Sequence, residues 1–324
     1  MHRIAITGAN GFVGSSLVKY CLGKECQITG LVRPTADLSL LPNDFSPTRV
    51  DYWHNEQIKS VLEGHQILIH NAAITRGKNW QEFHKQNVEL TAHLVKIANE
   101  VPALQQFVFI SSQAASGICS SKNGKKEHEE CFPVSHYGKS KLMAEEEIIK
   151  NCRKQWTIIR PASVFGAGDH DFLQYFKLVR SGISLLIGYT PRYISLIHIS
   201  GLVDLIYRTF SNERAFNEIF FAACSSFYSW EEFVTALEQA MNKKTIRIRI
   251  PEFLAYPVAL LGDLKGKLSN RPALINLQKL KELKEGNWIC DPGKTKEILG
   301  FGLESNLVEE LRATYNWYKE KGWL

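Results

Sequence analysis

Tyr137 and Lys141 stand in the segment Ser135-His136-Tyr137-Gly138-Lys139-Ser140-Lys141, four residues apart and so on one face of any helix that starts there. A phenol titrates near ~10, too high for a base at neutral pH, and a nearby ammonium favours its ionised form. The pair can therefore exchange a proton with a bound hydroxyl or carbonyl. Ser112 closes the apolar run FVFISS, 25 residues before the tyrosine, where the C-terminal end of a parallel strand offers its hydroxyl to a ligand. Ser111 is its rival for that role. Y-x-x-x-K recurs by chance in many chains, so the serine and its strand carry the assignment.

A second constellation opens the chain: Thr7-Gly8-Ala9-Asn10-Gly11-Phe12-Val13-Gly14, a G-x-x-G-x-x-G turn between an apolar strand and an amphipathic helix. Gly8, Gly11 and Gly14 allow the tight turn, and the N–H groups around Asn10, Phe12 and Val13 form a cradle for a pyrophosphate. At the end of the second strand, GLVRP, an acid would read the ribose 2′-hydroxyl of NAD; Arg33 is there instead and suits a 2′-phosphate, so NADP is expected in preference to NAD. Asp51 and Tyr52, after the third strand, are expected to border the adenine. Asn71-Ala72-Ala73, after the fourth, supplies small residues along the path of the cofactor.

These groups need a scaffold, and the first half of the chain reads as one. RIAITG, QITGLV, TRVDYW, HQILIHNAA, QQFVFISS and WTIIRP alternate with helical stretches such as Val88 to Ala98, the pattern of a doubly wound parallel sheet with helices on both faces. The fold class expected is α/β, Rossmann-type, with a smaller, mostly helical C-terminal substrate lobe. Residues 1–165 form the NAD(P)-binding domain, to which strands near 194–222 return, and 166–190 with 223–324 form the lobe. The run from Ser120 to Glu130 reads as a solvated loop.

Taken together, the TGANGFVG turn, Asn71-Ala72-Ala73, Asn87 in QNVELT, Ser111-Ser112, Tyr137/Lys141 and Arg160-Pro161 through Gly168 resemble the extended short-chain dehydrogenase/reductases, the NAD-dependent epimerase/dehydratase family. The resemblance implies Tyr137 as acid/base and also as a cofactor-binding residue, Lys141 on the nicotinamide ribose, Ser112 orienting the reacting oxygen and Asn87 shaping the site. It also implies that Pro161, Ala162 and Val164 line the nicotinamide. The nucleotide-sugar branch usually places a diphosphate-binding arginine just before the strand SLIHI; Ser195 occupies that place, with Arg192 three residues earlier. The tail from Asn287 to Asp291, with Trp317 and Tyr318, is more similar to the dihydroflavonol reductase and 3β-hydroxysteroid dehydrogenase branch, whose substrates are mostly apolar.

The leading expectation is thus an NAD(P)-dependent oxidoreductase moving a hydride to or from a hydroxyl or keto carbon of a small, apolar molecule. Two alternatives stand beside it: a sugar or nucleotide-sugar epimerase or dehydratase that recycles its NAD(P), and a non-catalytic NAD(P)-binding sensor. A net charge of +6 and a pI near 8.8 arise from interleaved residues without a nucleic-acid-binding motif, so no such partner is expected. The seven scattered cysteines read as free thiols, and a cytoplasmic location is expected because the first residues read as a strand and a glycine turn rather than a leader. PEFLAYPVALLG from Pro251 is too short for stable membrane insertion and reads as a pocket wall, a surface-seeking segment or a core helix. His198 reads as structural, and His170, between Asp169 and Asp171, is not expected to hold a metal. The resemblance further implies a homodimer through a four-helix contact that includes the helix beginning near Tyr137.

Overall fold

A computed structural model describes residues 1–119, 121, 123–252, 257, 286–302, 304 and 306–324. Of the apolar segment from Pro251, Pro251, Glu252 and Pro257 are described, and the expectation for the remainder lies outside the described residues. Seven parallel strands form the main sheet: β1 (His2–Thr7), β2 (Cys26–Val32), β3 (Thr48–Arg49), β4 (Ile67–His70), β5 (Gln106–Ile110), β6 (Gln155–Pro161) and β10 (Glu218–Ala222). Their spatial order is β10-β6-β5-β4-β1-β2-β3. The order reverses between β1 and β4, which opens a crevice at their C-terminal ends.

Both faces are covered, which is why the central strands read as continuous apolar runs. On one face, Leu17, Val18 and Cys21 of α1 (Phe12–Leu22) pack with Leu202, Leu205 and Ile206 of α8 (Ile199–Arg208). On the other, α2 (Asn55–Leu62), α4 (Leu90–Glu100) and α6 (His136–Asn151) bury Ile58, Leu94, Ala144 and Ile148 against Leu68 and Phe107. This is the Rossmann-type architecture expected, with a smaller lobe beyond it.

The lobe contains more strand than its sequence announced. β7 (Ser163–Phe165), β9 (Tyr193–His198) and β11 (Phe227–Ser229) form a three-stranded sheet, and β8 (Ile183–Ile187) pairs in parallel with β12 (Ile246–Ile250). Residues 194–222 are accordingly divided: β10 joins the main sheet beside β6, whereas β9 pairs with β7 and β11. α7 (Leu173–Arg180), α9 (Trp230–Ala240) and the helix Leu307–Glu320 enclose a separate core around Phe176, Phe233, Leu311 and Tyr318. Asn287–Asp291 threads between β9 and the segment near Cys119 and Lys125, so this part of the tail is extended rather than helical.

Candidate functional site

The glycine turn sits at the sheet's topological switch. Gly8 adopts φ +65°, and a Cβ there would lie 2.9 Å from the Ala72 backbone; a Cβ at Gly14 would lie 2.1 Å from the Gly8 carbonyl. Both positions thus require glycine for close backbone approach. The N-cap of α1 is Gly11, which has no side chain to occupy the helix's first N–H groups, and these suit an anion. This donor set fits a dinucleotide pyrophosphate, and Gly8, Asn10, Gly11, Phe12, Val13 and Gly14 would hold it. Asn10 itself donates to the Asp37 carbonyl at 3.1 Å, tying the turn to the loop after β2. That loop also carries Leu40, which approaches Gly168 together with Phe12.

Polar side chains brace the turn from below. The Tyr52 hydroxyl accepts from Gly8 N–H at 2.9 Å and donates to the Leu31 carbonyl at 2.7 Å. Burial raises this phenol to about 12, so it remains a neutral bridge. His70 lies between Thr7 and Thr91, 2.9 Å from each hydroxyl, and is stacked on Phe109. Since Thr91 spends its proton on the Asn87 carbonyl, His70 donates through Nε2 and accepts from Thr7 at Nδ1. The Thr7 oxygen in turn accepts from Asn71 and Ala72 N–H at 3.1 and 3.0 Å. Burial, with Lys141 adding to it, lowers His70 to about 3 and keeps the relay uncharged.

Arg33 and Asp51 are exposed at the rim of this end. The Arg33 and Pro34 carbonyls accept from the guanidinium of Arg49 in β3, which holds the backbone just after β2. Asp51 caps its own loop through Trp53 N–H at 3.0 Å.

The second end of the crevice is built on α6. Ser135 caps the helix, and a Cβ at Gly138 would lie 2.3 Å from the Ala114 carbonyl; the glycine lets the first turn of α6 close on α5 (Gln113–Ser116), the short helix that Ser112 caps. Tyr137 is half-buried on that turn. One turn on, Lys141 is 2% exposed, with Nζ 2.7 Å from the Ile110 carbonyl and 4.6 Å from the Phe109 ring centroid. Burial pulls its ammonium down to about 7, and Glu145 opposes that shift. Ser112 is half-buried, its oxygen accepting from Ala114 N–H at 3.1 Å. Ser111 is buried and donates to Glu145, leaving Ser112 as the accessible hydroxyl of the two.

Asn87 lies in a π-helical turn, His84–Glu89, a form that recurs at functional sites. Its amide holds both the N–H and the carbonyl of Ile74, at 2.8 and 3.0 Å, and donates to Ser140 at 2.9 Å. It thereby ties the loop after β4 to α6. Pro161 and Ala162 are buried beside Ala222, and Val164 pairs with Ile197.

The model of the NAD dependent epimerase/dehydratase family matches residues 4–215. The chain belongs to this family. Membership makes it an NAD(P)-dependent oxidoreductase or epimerase/dehydratase. Among its relatives, the ceramide reductase of Caulobacter vibrioides (strain NA1000 / CB15N) is 24% identical, the alignment covering 99% of this chain and 96% of that protein. The UDP-glucose 4-epimerase of Vibrio cholerae is 28% identical over 96% of this chain and 94% of its own. The solved UDP-glucose 4-epimerase of Thermotoga maritima, in complex with UDP-glucose, superposes with a TM-score of 0.78 at 17% identity, covering 98% of this chain and 99% of that one. It shares the fold.

Sequence reasoning passed over His70, Thr91, Ser140 and Glu145. A histidine ending an apolar strand and a carboxylate in helical register with Tyr137 and Lys141 were the available signals. His198 is structural in the expected sense: it caps α8 by bonding Ser200, and burial lowers it to about 4. His170 stacks on Trp323.

Proposed function

We propose that this chain is a sugar or nucleotide-sugar epimerase or dehydratase that regenerates its NAD(P) within each turnover. The observation that carries it is the pairing of half-buried Tyr137 with the buried ammonium of Lys141, one turn apart on α6 and beside the β5 terminus that leads to Ser112. When bound, NAD(P) supplies the site for the hydride. Tyr137 exchanges the proton of the reacting hydroxyl, Lys141 favours the phenolate, Ser112 hydrogen-bonds the same oxygen, and Asn87 ties the loop after β4 to α6. The relatives that act on UDP-glucose support the sugar reading. It is tested by incubating the protein with UDP-glucose and NAD+, and separately with NADP+. An epimeric or dehydrated product with no net change in nicotinamide absorbance supports it; no product from UDP-sugars sinks it.

A second reading, net oxidation or reduction of a larger apolar substrate, is favoured by one observation. Arg192, which could replace the missing diphosphate arginine, is committed to Glu252, and Ser195 is buried against Cys290 N–H. The ceramide reductase relative fits this reading. Stoichiometric NADPH consumption with a long-chain ketone would establish it. In either case we assign 166–190 and 223–324 to substrate recognition. Arg33 favours NADP, which a comparison of NADPH and NADH affinities in Arg33→Ala decides.

A further inference from the structure

The ribbon formed by β8 and β12 carries its apolar face outward. Alternate side chains of a strand face opposite ways, so a ribbon with one face packed on a core should show polar residues on the other. The inward positions of β8 are Ser184 and Leu186, both buried, and in register with them stand Arg247 and Arg249 of β12. These two arginines are spent on α9, Arg247 on Thr235 and Glu238 and Arg249 on Glu231. The outward positions are Ile183, Leu185 and Ile187, paired with Ile246, Ile248 and Ile250. All six are branched and apolar. Ile246 is 73% exposed, Ile248 43% and Leu185 38%, and Tyr189, 70% exposed, follows just beyond β8.

The rim of this face is cationic. Ile246 N–H bonds the Gly182 carbonyl where β12 begins, and at that end Lys243 holds the Arg180 carbonyl. Arg180, Lys243 and Lys244 are exposed there, with Lys177 one turn earlier on α7. Glu252 is the one acid in 173–193 and 242–252, and it is paired with Arg192. A second copy of the chain would set one such rim against another. The chain's own apolar stretch at 253–261 belongs to a segment, 253–285, with six lysines and arginines against three acids. Like charge opposes both occupants. Nucleic acid offers anions but nothing for six aliphatic side chains. A bilayer with anionic headgroups offers phosphates for the rim and acyl chains for the face. No helix among the described residues is long and apolar enough to cross a membrane, so such contact is peripheral.

We propose that the outer face of β8 and β12, with Arg180, Lys243 and Lys244 at its rim, docks the protein peripherally on an anionic phospholipid bilayer. Ile246, Ile248 and Leu185 enter the boundary between headgroups and acyl chains, and the cations meet lipid phosphates. The docking is independent of the role given to Tyr137. Flotation of the full-length chain with vesicles tests it, using equal parts phosphatidylglycerol and phosphatidylcholine in one set and phosphatidylcholine alone in the other. Ile246→Ser/Ile248→Ser changes exposed side chains and should melt at the wild-type temperature. The wild type is expected to float with the anionic vesicles and not with the neutral ones. The serine pair should weaken that partition by about tenfold or more, and Lys243→Gln/Lys244→Gln by about as much. A wild-type chain that does not float, or a serine pair that floats as well as the wild type, overturns the proposal. A serine pair that melts well below the wild type shows the face closed by the chain itself, and one that turns a dimer into a monomer shows a second copy on it; either result overturns the proposal too.

Discussion

At the ends of β1 and β4 the crevice is held open by glycine contacts and neutral hydrogen bonds; at the ends of β5 and β6 it is held by charges taken out of water. Tyr52, Thr7, His70 and Thr91 brace the first region without an ionised group among them. Lys141, Glu145 and Arg160, each no more than 2% exposed, brace the second. The contrast matches what each end is proposed to do. A pyrophosphate needs fixed N–H donors and little else, so rigid neutral supports suffice. Proton exchange needs a group whose protonation responds to its neighbours, and that requires charge in a medium that screens it poorly.

The contrast can be broken at either end. The largest effect is expected from Tyr137→Phe, which should lower turnover by about 10²–10⁴-fold while leaving cofactor affinity unchanged. Steady-state rates beside nicotinamide fluorescence titrations check both halves of that statement. Next comes Gly14→Ala. Its new methyl meets the Gly8 carbonyl, so binding of NADH or NADPH should weaken by roughly 100-fold, an effect of about 3 kcal/mol, in the same titration.

The third prediction concerns pH. Lys141 sits near 7 in the folded chain against an ordinary value of 10.5, so between those values the unfolded chain binds the extra proton and folded stability rises with pH. Below about 7 the full cost of burying the ammonium is present. Lys141→Met removes that cost, and its melting temperature should exceed the wild type's by roughly 5 °C at pH 6, with the gap shrinking towards pH 10. A constant gap would place the ammonium in a less costly environment than the buried one described. The smallest effect is expected for Tyr52→Phe, which unpairs Gly8 N–H and the Leu31 carbonyl. It should cost about 1–3 kcal/mol of stability and weaken cofactor binding several-fold, without altering the pH dependence of either.

The legible parts of the molecule were those in which chemistry and spacing lie close together in the chain. The turn from Thr7 to Gly14 and the pair Tyr137/Lys141 are each contained in one local element, and the alternation of strands and helices over the first half predicted the parallel sheet. The supports were hidden because their partners are remote: Thr7 meets His70 across 63 residues, and Arg160 meets Glu145 across a helix-to-strand connection. The choice between Ser111 and Ser112 depended on Glu145 for the same reason. The π-helical turn at Asn87 is a one-residue shift in hydrogen-bond register, which apolar periodicity does not encode. In the C-terminal lobe, β8 and β12 pair with each other, Ile183 opposite Ile246 through Ile187 opposite Ile250, and segments so far apart in the chain do not announce one another.

The glycine turn and Tyr137 are assigned here to one crevice with separable tasks, binding at one end and proton exchange at the other. Titration of the wild-type chain, Gly14→Ala and Tyr137→Phe with NADH and with NADPH, followed by nicotinamide fluorescence, tests it most directly. Saturable binding is expected of the wild type and Tyr137→Phe, with its loss or severe weakening in Gly14→Ala. Binding unaffected by the alanine, or no binding by the wild type, would contradict it.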